Sequence, residues 1–346
     1  MRDRLKKNKA ARAAFWILLI LIAMAVFGPL MTPYGYREQL TNEAGEYLSN
    51  MPPRIPLLKK LGIARGYAVL RDRRAEYLND TERYPEGSVI RTKNYYQSAS
   101  GAEYCDVVVD YYVYMGVGED VNFWLGTDQM GRDLWTRLWR GTRVSLLIAF
   151  FAVAADTVIG ALYGAVCGYF GGKTDLILMR FCEIVRSIPN VVICSLFIML
   201  LGTGVRTMIL ALAVRGWTHT AQLVRAQFLR NKTREYVLAS RVMGASDARI
   251  IFRHILPNSL SPLISGAMMA VPSAIFTEAF LAYIGLGIPA PEPSLGTLLS
   301  GAWAALELYP TQTLFPALVI SVLLIAFSLF TGGLRDALDP RDPGRA

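Results

Sequence analysis

The sequence predicts an all-α membrane protein of six transmembrane helices with a small extracellular insert between the first two. Three observations lead there: apolar residues fall in long, nearly uncharged runs, Lys and Arg cluster at the flanks of those runs, and charged residues are few. They make up 18% of the 346 residues, against about 25% in soluble domains. Hydrophobic residues make up 53% of the chain. Their uneven distribution marks lipid as the solvent rather than a large aqueous core.

A helix needs about 20 mostly apolar residues to cross the hydrocarbon layer. Six segments meet or approach this: 13–32, 144–170, 176–201, 207–224, 258–285 and 308–334. The first follows Arg2, Arg4, Lys6, Lys7, Lys9 and Arg12. It is longer than a signal-peptide core of about 7–15 residues and has no A-x-A cleavage site after it, so we read it as a retained helix. The fourth segment is the weakest, because Arg215 interrupts it.

Orientation follows the positive flanks. The basic N-terminus 1–12, the stretch holding Arg225, Arg230, Lys232, Arg234, Arg241, Arg249 and Arg253, and the tail 335–346 with Arg335, Arg341 and Arg345 all fall on one side of an even number of spans. That side is expected to be cytoplasmic, in the plasma membrane, with both termini inside. The opposite short loops agree, since 202–206 holds one basic residue and 287–307 none. With its Lys and Arg explained by topology, the net charge of +9 does not point to nucleic acid.

Residues 33–123 are polar, Tyr-rich and nearly charge-balanced, and topology puts them outside. The run CDVVVDYYVY at Cys105–Tyr114 suits a strand. Either a small domain or a long loop fits. The stretch 124–143, WLGTDQMGRDLWTRLWRGTR, reads as a helix capped by Thr127 or Asp128. Trp135 and Trp139 suit the headgroup layer, so an interfacial helix or an amphipathic helix packed on the outer segment is expected, ahead of a permease core at 144–334.

The segment EYVLASRVMGASDARIIFRHILPN, Glu235–Asn258, is too charged to span and too apolar for a free linker. It predicts a short helix ended by Gly244, which accepts a left-handed conformation. A second helix is capped by Ser246, with Ile251 and Ile255 on one face and Arg249 and Arg253 on another. Such a knob can plug into a groove on a soluble partner or lie on headgroups.

This loop, 235–257, resembles the signature loop of transmembrane subunits of bacterial ATP-binding-cassette importers. That pattern is Glu-Ala-Ala, three residues, Gly, nine residues, Ile, one residue, Leu-Pro. Ala239, Gly244, Leu256 and Pro257 match it, Ser240 replaces the second Ala, and Leu238 and His254 stand at the Glu and Ile positions. The chain further resembles the dipeptide and oligopeptide permease branch (C-type subunit). The carrying motifs are LGTDQMGRDLWTRLWRGTRVSL, RSIPN at Arg186–Asn190, TEAFLAYIGLGIPAPEPSLGTLLSGA at Thr277–Ala302, and RDALDPR at Arg335–Arg341. The resemblance covers Trp124 to the end and the first span.

It implies the type I importer permease fold and half of a pore. Its implied partners are a homologous, non-identical permease, two ATPase subunits and an extracellular or periplasmic solute-binding protein. The ATPases would grip the loop through Ala239, Ser240, Gly244, Ala245, Ser246, Asp247, Arg249, Arg253, Leu256 and Pro257. Peptides are the implied cargo, with nickel, glutathione or another small solute as alternatives. A membrane-bound sensor or enzyme using the insert is a second alternative, although no catalytic cluster supports it.

Ionisable residues inside membrane spans are functional candidates by default. Here they are Asp156, Glu183, Arg186, Arg215 and Glu278. Glu183 and Arg186 are placed to pair on one helix face, and Asp156 and Glu278 are candidate partners for Arg215. Glu278 suits either the pore lining or a packing hydrogen bond. The spacing of Gly160, Gly164 and Gly168 suits close helix packing. No Walker A loop appears, so ATP hydrolysis is expected on partners. His219, His254 and the four Cys match no metal motif. Neither cofactor nor metal is expected.

Overall fold

The computed structural model describes residues 8–59, 63–99, 101–303 and 305–338. Arg2, Arg4, Lys6 and Lys7, and the part of the tail motif beyond 338, lie outside the described residues. The main helices are α1 (Lys9–Phe27), α2 (Leu134–Phe170), α3 (Gly172–Ser187), α4 (Asn190–Leu201), α5 (Val205–Asn231), α6 (Glu235–Val242), α7 (Leu260–Leu281), α8 (Leu295–Trp303) and α9 (Pro310–Leu338). The strands are β1 (Tyr67–Arg74), β2 (Val89–Gln97) and β3 (Glu103–Asp110). The chain divides into two compact units. The described residues within Met1–Ala23, Thr142–Pro289 and Val319–Ala346 form one, and those within Met24–Gly141 and Ala290–Leu318 the other.

Among the described residues four helices are long and apolar enough to cross a membrane: Lys9–Leu30, Leu134–Phe170, Leu260–Leu286 and Pro310–Ala337. A bent pair raises the number to five, one short of the six expected. The missing one is α5, whose 27 residues include Arg206, Arg215, Arg225 and Arg230. The third expected span, 176–201, is not one helix. Its halves α3 and α4 meet at 81°. Pro189 has no N–H to continue the ladder and pushes Ile188 into an extended conformation, ψ 127°.

In the first unit α2 packs on α5 through its glycines. A Cβ on Gly160, Gly164 or Gly168 would overlap the backbone of Trp217, Ala221 or Arg225. Bare Cα atoms therefore set how closely these helices approach. Further packing comes from Val144, Ile148 and Ala152 against Met208, Ala211 and Leu281.

The second unit corrects two expectations. First, it is not all-α. A three-stranded antiparallel sheet in the order β1-β3-β2 lies within the insert. The apolar β3 takes the centre, burying Cys105, Val107 and Val109, while Arg- and Lys-bearing β1 and β2 form the edges, as suits strands with an unpaired side. The expected strand stops at Asp110, whose carboxylate caps a helical turn at Tyr111–Tyr114.

Second, 124–143 is not a separate helix. Residues up to Asp133 form a looped segment, and α2 begins at Leu134 and runs unbroken to Phe170. Thr127 and Asp128 cap no helix; Asp128 Oδ1 instead accepts from Met130 N and Arg132 N within a turn. The Thr127 hydroxyl donates to Leu48 O at 2.5 Å and accepts from Met51 N at 2.8 Å. Asp128 pairs with Arg132 at 2.8 Å. The cap is Asp133, whose Oδ2 accepts from Thr136 N at 2.8 Å. Trp135 donates to Gly28 O at 2.9 Å.

Candidate functional site

The stretch after α5 folds into a compact helix–turn–helix. Helix α6 ends at Gly244, φ +78°, a conformation that costs glycine nothing. Gly244 N donates to Arg241 O and Ala245 N to Ser240 O, each at 3.0 Å, so the last carbonyls of α6 are satisfied. Ser246 Oγ accepts from Arg249 N. The chain then passes from Asp247–Arg249 through a π-helical stretch, Ile250–Ile255, into Leu256–Asn258.

The apolar face of this knob points inward. Ile250, Ile251 and Ile255 are buried with Val237, Val224, Phe228 and Leu263. Ser240 is buried too, donating to Tyr236 O at 2.8 Å. Ala245 and Leu256 pack against the same cluster. The isoleucines are therefore not offered to a partner. The exposed surface includes Ala239, Gly244, Ser246, Asp247, Arg249, Arg253 and Pro257, together with Leu238, Val242, Met243 and Phe252. Val242 is 88% exposed and Met243 80%.

Sequence reasoning missed those four apolar residues. A signal was present: Leu238 and Val242 are four apart and fall opposite Val237 and Ser240 on the helix. It also missed Tyr169, near the end of α2. Its hydroxyl donates to Asp247 Oδ1, and the Arg241 guanidinium lies 5.7 Å from its ring centre.

The five intramembrane candidates separate. Glu183 pairs with Arg180 at 2.7 Å rather than with Arg186. Three residues apart served either partner, and Arg186 instead bonds Gln222 on α5. Arg215 donates to Arg186 O at 3.3 Å, so Asp156 and Glu278 are not its partners. Glu278 is fully buried and accepts from Ser145 Oγ at 2.8 Å, a bond between α7 and α2. Asp156, Arg186 and Arg215 come together around a cavity of about 510 Å³, with Asn190, His219 and Thr277 also in its wall. Asp156 lies against Gly216, where a Cβ would overlap its carboxylate.

With this geometry in hand, the relatives agree. The family described as binding-protein-dependent transport system inner membrane component matches residues 160–341. The N-terminal TM domain of oligopeptide transport permease C matches residues 1–53. The oligopeptide transport system permease protein OppC of Bacillus subtilis (strain 168) is 43% identical over 218 residues, covering 63% of this chain and 72% of its own. The dipeptide transport system permease protein DppC of Lactococcus lactis subsp. cremoris (strain MG1363) is 35% identical over 338 residues, covering 98% and 89%. Among solved structures, an inward-facing MetNI methionine ABC transporter aligns with TM-score 0.50 at 22% identity, over 59% of this chain and 96% of that one. This likeness gives the fold, that of an importer permease. The chain belongs to the family of binding-protein-dependent transport system inner membrane components, in the branch of the oligopeptide and dipeptide permeases.

Proposed function

We propose that this chain is half of a transmembrane pathway for peptides, moved by ATPase subunits that grip the knob at 235–257. The observation that carries this is the knob itself. It has a rigid inner face and an outer face of Leu238, Val242, Met243, Arg249 and Arg253 with no described partner on it. A helix pair held by its own core can transmit a rigid-body shift from a motor to the pore. The peptide cargo rests on the relatives named above.

The same reading gives the topology. Counting α3–α4 as one bent span and adding α5 makes six, with both termini cytoplasmic and the insert 33–123 outside. At about 1.5 Å per residue, the 27 residues of α5 are long enough to cross. Its Arg215 meets a carbonyl and a cavity rather than lipid. A second, homologous permease supplies the other half of the pathway, and a solute-binding protein delivers cargo from outside. This chain performs no catalysis, and hydrolysis of ATP belongs to the partners.

The test is purification from detergent with the ATPase subunits, together with uptake of a labelled dipeptide. Charge reversal at Arg249 and Arg253 is expected to reduce both. Undiminished ATPase retention and uptake after that reversal would overturn the reading.

A further inference from the structure

The cavity bounded by α2, α3, α5 and α7 carries an asymmetry that the pathway role does not use. Asp156 is only 8% exposed, and its Oδ1 is buried without a hydrogen-bond partner. A carboxylate oxygen withdrawn from water and left unbonded is costly, and the cost is relieved when a cation reaches it. Neither arginine in the same wall is paired with it; Arg186 bonds Gln222 and Arg215 the Arg186 carbonyl. Asp156 is buried while Arg186 is exposed, so the lining runs from a buried anion to an exposed cation. The rest of the wall is mixed, with Leu212, Leu223 and Met269 beside Thr157, Thr220 and Ser273. The volume of about 510 Å³ lies within the range of about 300–1,000 Å³ usual for small-molecule sites.

We propose that this cavity holds a peptide in transit by its α-ammonium end, with Asp156 as the counter-ion and Arg186 and Arg215 toward its carboxylate end. A compact ammonium can pair with the Asp156 carboxylate, a charge-assisted bond of the stronger kind. Held this way, the site would recognise the ends common to all peptides, while the mixed wall meets the side chains. This inference rests on the peptide-pathway reading and adds a resting point within it.

The test uses the purified permease–ATPase complex in detergent without its binding protein, so that selection by that protein does not enter. Ser273 lies in the cavity wall and is exposed, whereas all four native Cys are buried. Ser273→Cys therefore reports occupancy through its rate of modification by a methanethiosulfonate reagent. A free dipeptide is expected to slow modification, and its N-acetylated form is not. In Asp156→Asn the half-protecting concentration is expected to rise about ten-fold or more, the size of one charged hydrogen bond, and Asp156→Glu restores part of it. Size-exclusion profiles of the variants confirm folded complexes.

Equal protection by free and acetylated dipeptide, or protection unchanged in Asp156→Asn, overturns the proposal, as does no protection at all. Dipeptide uptake by the wild-type system separates the two readings. If uptake occurs without protection, only this site fails; if no peptide is taken up, the pathway reading fails first.

Discussion

The Tyr169 hydroxyl donates to Asp247 Oδ1 at 2.5 Å, joining residues 78 positions apart in the chain. It ties the end of a membrane helix to the first turn of the knob, so a push on one is felt by the other. Tyr169→Phe is expected to remove about 1 kcal/mol of local support, or about five-fold faster amide exchange across 246–250. Hydrogen-exchange mass spectrometry measures this, and unchanged exchange there would show that the bond does not hold the knob.

The glycines separate a helix seam from a turn. Gly164→Ala drives a methyl into the Ala221 backbone on α5, and overpacking of this kind costs about 1–3 kcal/mol. At Gly244 a Cβ would meet nothing within 4 Å, so Gly244→Ala suffers only its left-handed backbone, about 1–2 kcal/mol, confined to the loop. The thermal midpoint of the detergent-solubilised permease should fall for Gly164→Ala and stay near wild type for Gly244→Ala. The reverse order would contradict the seam.

Val242→Glu and Met243→Glu should leave folding intact, because both side chains stand in solvent. Retention of ATPase during purification is expected to drop about ten-fold or more, as loss of an interface anchor does. Normal retention would move the gripping surface elsewhere on the knob.

Asp175 and Arg225 form a two-pronged pair, with 2.5 Å on each arm and Asp175 mostly buried. Asp175→Asn should lower stability by about 1–3 kcal/mol. Arg225→Lys should not substitute, since an ammonium cannot match both carboxylate oxygens. Thermal melts of the two variants read this directly, and a lysine variant as stable as wild type would refute it.

In the insert, Asn94 Nδ2 and the Asp72 backbone N–H donate to Asp106, holding its carboxyl below the usual carboxylate value. The ionised form is the bonded one in the folded sheet. Its support is therefore full above the unfolded pKa of about 4 and fades as pH falls through the lower folded value. Near-ultraviolet circular dichroism of the Tyr-rich sheet should show an acid transition that Asp106→Asn flattens. An identical transition in the variant would remove Asp106 from the account.

The helices were legible where one rule governed them. Long apolar runs announced α1, α2, α7 and α9, and Gly244 and Ser246 announced the turn of the knob. Pro189 was visible as a breaker, but the 81° angle depends on packing that no local rule contains. At 124–143 several polar residues could each have capped a helix. Burial of Thr127 against Leu48 and Met51 decided among them, and those partners are more than 75 residues away in sequence. Arg180 and Arg186 were both within one helical turn of Glu183, so spacing alone could not choose. The inward turn of Ile250, Ile251 and Ile255 was hidden for the same reason: periodicity gives a face, not what covers it.

That burial has a consequence for assembly. A handle whose greasy side is already anchored in its own subunit does not wait for a motor in order to take shape. If ATPase subunits dock here as proposed, they meet a finished surface and spend little on ordering it, so the motor can be seated, released and seated again without the permease unfolding in between.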